Sequence, residues 1–143
     1  MNTLRTNLDL LLRAAALAQL GIAGLNLVLV RIMNWKPELD RAPLLIREVF
    51  RVHCIFISIT LTIFGILTWH FAPEMAAAVD PLGVWLAAAI GGFWGIRSVM
   101  QWLYYSPSHW HGNAGRTLIH FVLFFGYAAF AAVYFAAAFW RTV

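Results

Sequence analysis

With 62% hydrophobic and only 11% charged residues, this 143-residue chain carries more apolar surface than a soluble domain of its size could bury. Its mean hydropathy of +0.76 points to an integral membrane protein. Its net charge of +4 resides at the ends of apolar runs rather than on a basic stripe, which excludes nucleic-acid binding and assigns the cations to anchoring helices at an interface.

Residues 3–12 place Leu4, Leu8, Leu11 and Leu12 on one helical face against Arg5 and Asp9, the pattern of a short interfacial lead-in. Arg5 and Arg13 ahead of an apolar run also suit a secretory leader. That reading is set aside because no small-x-small site followed by polar sequence appears. The first span is expected over about 13–33, where Gln19, Ala23, Asn26 and Val30 share a small and polar face suited to helix contacts. Asn34 to Pro43, with two prolines and mixed charge, reads as a connection at the water interface.

The second span is expected over about 44–71. Its first turns carry Arg47, Glu48, Arg51 and His53, and Glu48 can pair with Arg51 three residues on. Arg51, Ser58, Thr62, Gly65 and Trp69 form a stripe expected on the packed side. Cys54, the single cysteine, excludes an intrachain disulfide and a cysteine-based metal centre, and it reads as a small core residue.

A third span over about 82–105 holds Gly91-x-x-x-Gly95, a close-approach spacing, and a face of Trp94, Arg97, Gln101 and Tyr104. A turn-rich connection, 106–116, leads to a fourth span over about 117–140 with the stripe His120, Phe124, Tyr127, Ala131 and Tyr134. All five prolines (37, 43, 73, 81, 107) fall in the connections on this reading. Each apolar run is long enough to cross a hydrocarbon core of about 30 Å as a helix. The expected fold is therefore all-α: a single-domain, up-down antiparallel four-helix transmembrane bundle.

Four spans put both termini on one side. Arg31, Lys36, Arg41, Arg47, Arg51, Arg97 and Arg116 gather on the side of the 34–43 and 106–116 connections, against Arg5, Arg13 and Arg141 on the other. That bias makes the first side cytoplasmic in an inner membrane, with the termini periplasmic. Arg31, Lys36, Arg41, Arg47 and Arg116 need no role beyond snorkelling, and Trp102, Tyr105 and Trp110 suit an aromatic belt.

Three of the five histidines, His109, His111 and His120, fall within twelve residues at that same side. Ionisable groups inside spans are costly and are expected to face an interior site. The expected pocket combines Arg51, Arg97, Gln101, Glu48 and Asn26 as ligand-binding groups with His53, His120 and Tyr104 as groups able to move protons. Arginines outnumbering nearby acids would suit an anionic, lipid-like or redox-active ligand dissolved in the membrane.

Haem b between His53 and His120, or a metal held by His109, His111 and His120, are competing chemistries. A small-anion carrier and a non-catalytic subunit of a homo-oligomer or larger membrane complex are further readings. Whether the chain is an enzyme is left open, for it holds no Walker loop, nucleophile elbow or HExxH motif.

Overall fold

The computed structural model describes residues 2–105 and 114–140, and all regular structure among them is helical. The helices are α1 (Asn2–Ile32), α2 (Lys36–Arg41), α3 (Leu44–Ala77), α4 (Pro81–Leu103) and α5 (Ala114–Phe139). Four of them contain segments long and apolar enough to cross a membrane: Thr3–Ile32, Leu44–Ala77, Pro81–Leu103 and Thr117–Phe139. The chain divides into two compact units, Arg13–His70 and the combination of Met1–Leu12 with Phe71–Val143.

Several boundaries differ from expectation. The interfacial lead-in and the first span are one uninterrupted helix of 31 residues, about 46 Å long at the usual rise. No glycine or proline before Gly21 interrupts its pattern of helix-forming residues. The 34–43 connection contains the short helix α2, with Pro37 in its first turn, where a missing N–H costs nothing. The third and fourth spans shift by a few residues, to Pro81–Leu103 and Ala114–Phe139.

The largest correction concerns Pro73, which lies inside α3 rather than in a connection. Proline lacks the amide hydrogen and crowds the carbonyl four residues back, so the helix bends instead of ending. Phe71 absorbs the distortion, with φ −104° and ψ 17°. The helix resumes through Ala77 and stops at Ala78, which takes the left-handed conformation (φ 51°) and donates its N–H to the carbonyls of Glu74 and Met75. α1 ends in a similar way but with a better-suited residue. Asn34 has φ 53°, its N–H reaches Arg31 O, and the N–H of Trp35 reaches Val30 O, a Schellman closure.

Within the Arg13–His70 unit, α1 and α3 pair antiparallel. On α1 the inward side chains are Ala16, Gln19, Ala23 and Asn26; on α3 they are Cys54, Ser58, Leu61, Gly65 and Thr68. Both series step by alternating threes and fours, the 3.5-residue period of left-handed helix pairs. Gly65 sets the closest approach: a Cβ there would stand 2.8 Å from the Leu20 side chain and 3.1 Å from the Ala16 carbonyl oxygen. Asn26 Nδ2 donates to Cys54 O at 2.8 Å and to Ser58 Oγ at 3.0 Å. Towards the far end, the Arg13 guanidinium lies 5.2 Å from the centre of the Trp69 ring.

In the other unit the same seven-residue logic runs along α4 (Gly83, Ala87, Ile90, Trp94, Ser98, Gln101) and α5 (His120, Tyr127, Ala131, Tyr134, Ala138), all buried. The Gly91-x-x-x-Gly95 spacing does what it predicts. A Cβ at Gly91 would meet Phe135 at 3.0 Å and Tyr134 at 3.1 Å, and one at Gly95 would meet Phe135 at 3.7 Å. Gly83 lets the start of α4 lie against the end of α3, where a Cβ would come within 3.2 Å of the Glu74 carbonyl. Trp94 fills the middle of the pair, stacked on Tyr127 at 5.3 Å and tilted against Phe130 at 4.6 Å.

Candidate functional site

The polar residues that come together lie on α4 and α5. Arg97 stands six residues before the end of α4 and His120 six residues after the start of α5, each about 9 Å inside its helix. The antiparallel register brings those two levels face to face. Arg97 Nη1 donates to Gln101 Oε1 at 3.1 Å, one turn along the same helix, and Gln101 Nε2 lies 3.1 Å from His120 Nδ1 across the interface. Gln101 is 2% exposed and His120 7%, so these groups form closed core rather than the walls of an open pocket.

Aromatic rings surround the chain of contacts. The Arg97 guanidinium lies 4.7 Å from the centre of the Tyr127 ring, a cation–π distance. Trp102 stands 6.4 Å from the His120 ring and 5.3 Å from Phe124. Ser98 Oγ donates to the Phe124 carbonyl at 3.3 Å, a second polar link between the helices. The electrostatics are one-sided: from residue 81 to residue 143 the sequence contains arginines and no Asp or Glu. Among the described residues no carboxylate pairs with Arg97.

Of the residues expected in the pocket, Arg97, Gln101 and His120 are thus joined. Tyr104 does not join them. It caps the C-terminus of α4, is 79% exposed, and packs edge-on to Tyr105 at 6.4 Å. It shares a helical face with Arg97 but lies just past the end of α4, about one turn beyond Gln101.

The remaining expected residues belong to the Arg13–His70 unit. Arg51, His53 and Glu48 are exposed there, and the anticipated Glu48–Arg51 ion pair does not form; such pairs between exposed chains add little. Asn26 donates its amide N–H to α3, a contact that joins two helices. The stripe expected to pack on α3 holds at Ser58 and Gly65, while its ends, Arg51 and Trp69, are exposed.

His109 and His111 lie outside the described residues, and with them the His109–His111–His120 metal set. Among the described residues no group of three or more His, Cys, Asp or Glu side chains converges. A cleft of about 220 Å³ lies elsewhere, lined by Ala78, Val79, Pro81, Val84 and Trp85, and contains none of the expected groups.

Sequence reasoning passed over Tyr127 and Ser98 as partners of this cluster. The signal for Tyr127 was present, since it shares the His120 stripe and falls level with Trp94 and Arg97 once the helices are set antiparallel. No protein-family model, curated protein or solved structure matches the chain.

Proposed function

We propose that this is a multi-pass inner-membrane protein, a four-helix bundle whose α4–α5 pair binds an anionic, membrane-dissolved ligand through Arg97. Bilayer residence draws support from side chains that are apolar on the outward as well as the inward faces. Phe56, Ile59, Ile63 and Ile66 on α3, Ile96 and Val99 on α4, and Leu118, Val122 and Phe125 on α5 are all exposed. A helix hydrophobic all round belongs in a large core or in lipid. The positive-charge bias of the sequence favours an orientation with both termini in the periplasm and Arg97 near the cytoplasmic face.

One observation carries the ligand assignment: Arg97 is a half-buried cation inside an apolar helix, in a 63-residue stretch from 81 to 143 without an Asp or Glu. Gln101 and the Tyr127 ring orient the guanidinium but leave its charge uncompensated. An uncompensated cation at that depth favours a neighbouring anion, and the guanidinium fork matches a carboxylate or phosphate. The ligand reaches it from the membrane, as a fatty acid or an anionic lipid headgroup would. Gln101 and then His120 continue the chain of contacts from Arg97 across to α5.

The test is a tryptophan-fluorescence titration of the protein in nanodiscs with a fatty acid, phosphatidylglycerol and, as control, phosphatidylcholine. Trp94 and Trp102 lie beside Arg97 and His120 and report on occupancy. A hydrogen-bonded charge pair contributes about 1.5–3 kcal/mol, so Arg97→Gln should weaken the anionic ligand by roughly 10- to 100-fold and leave the zwitterionic control unchanged. Equal affinity of the wild type for all three amphiphiles, or full binding by Arg97→Gln, would overturn the proposal.

A further inference from the structure

We propose that Gln101 is a positioning residue: held by Arg97, it fixes His120 in the tautomer with a bare Nδ1 and a protonated Nε2. The argument is one of donors and acceptors. A guanidinium has only N–H groups to offer, so the Gln101 atom 3.1 Å from Arg97 Nη1 must be the carboxamide oxygen. The amide nitrogen then faces the imidazole at 3.1 Å, and because that nitrogen is a donor, His120 Nδ1 must accept. Turning the amide over would set its NH2 against the guanidinium, donor to donor, at a side chain that is only 2% exposed.

The consequence reaches the ligand. With Nδ1 accepting, His120 is a donor at Nε2, and whatever meets that nitrogen must present an acceptor such as a carboxylate or phosphate oxygen. A metal or haem iron on Nε2 would need the opposite ring, bare at Nε2 and with Nδ1–H bonded to an acceptor. Gln101 cannot supply that acceptor while its oxygen is held by Arg97. In this tautomer His120 is set against ligating a metal through Nε2. The assignment of the ligand rests on the function proposed above; the tautomer rests on geometry alone.

The experiment is 15N NMR of protein carrying labelled histidine, in nanodiscs at about pH 8, above the ordinary histidine range. His120→Asn identifies the His120 signals by their loss. The wild type should show Nδ1 of His120 as a bare ring nitrogen and Nε2 as N–H. In Gln101→Glu the carboxylate accepts from Arg97 and from the ring together, so Nδ1 should shift into the N–H range.

Should Gln101→Glu fail to fold, Arg97→Met frees the amide to turn, and the single wild-type tautomer should give way to a mixture. A protonated Nδ1 in the neutral wild-type ring would overturn the inference, as would a bare Nδ1 in Gln101→Glu or an unchanged single tautomer in Arg97→Met. No ligand is present in this measurement. A failed anion titration beside an intact tautomer pattern would therefore sink the proposed function and not this inference, and the reverse outcome would do the opposite.

Discussion

Arg97 and His120 are joined through a single side chain, Gln101, which lies 3.1 Å from each. The link runs along one helix and then across to the next, so it couples the orientation of a cation on α4 to the packing of α4 against α5. Replacing Gln101 by Leu keeps the volume and removes both hydrogen bonds, leaving His120 Nδ1 facing hydrocarbon. Interhelical hydrogen bonds in membranes average about 0.6 kcal/mol, and an orphaned buried acceptor raises the loss, so a destabilisation of about 1–2 kcal/mol is expected. Reversible unfolding in mixed detergent micelles measures it. An unchanged midpoint would mean that the Gln101 contacts contribute nothing to stability.

The glycines of α4 offer an internal control. Gly91 lies within about contact distance of Phe135 and Tyr134, 3.0 and 3.1 Å from a would-be Cβ, whereas Gly92 has nothing within 4 Å. Gly91→Val should force the helices apart and cost about 1–3 kcal/mol as overpacking. Gly92→Ala should be neutral, or stabilising by up to about 1 kcal/mol through helix propensity. The same unfolding assay compares them, and equal effects at the two positions would contradict the α4–α5 register.

Much of that register was legible in the sequence. Polar and small residues at helical spacing in an otherwise apolar chain can mark the packed face, and the series Trp94, Arg97, Gln101 and His120, Tyr127, Ala131, Tyr134 do so. His53 shows where the reasoning fails. An ionisable residue in a span was expected to face inward, yet His53 lies five positions before buried Ser58, about 140° around the helix, and is exposed. Period was the better guide there than polarity. Pro73 misled for a different reason: proline marks a disturbance of the helix, but whether the helix stops or bends depends on neighbours that can absorb it, here Phe71. The antiparallel level of Tyr127 with Arg97 needed the second helix to be in place.

Asn26 and Ser58 form the corresponding polar link between α1 and α3, with Asn26 Nδ2 3.0 Å from Ser58 Oγ and 2.8 Å from Cys54 O. Because one donor group serves both acceptors, the two mutations should not add. Asn26→Ala is expected to cost about 1 kcal/mol and Ser58→Ala less, since the Cys54 carbonyl contact survives; the double variant should cost no more than Asn26→Ala alone. Full additivity in a double-mutant cycle would show that the two residues do not interact.

Ala78 ends α3 in the left-handed conformation at φ 51°, a position where a Cβ crowds the backbone and glycine does not. Its N–H still closes the helix onto Glu74 O at 3.2 Å and Met75 O at 3.3 Å, so the conformation is fixed by those two bonds rather than by residue preference. Ala78→Gly keeps both bonds and removes the crowding, and it should stabilise the protein by about 1 kcal/mol even though glycine is the more flexible residue when unfolded. The same change at Ala76, buried in the regular helix one turn before Asp80, should instead destabilise by about 1 kcal/mol or more. Opposite signs at the two alanines, read as midpoint shifts in the same unfolding assay, would establish that α3 runs past Pro73 and closes at Ala78; loss of stability at both would mean that residue 78 is not left-handed.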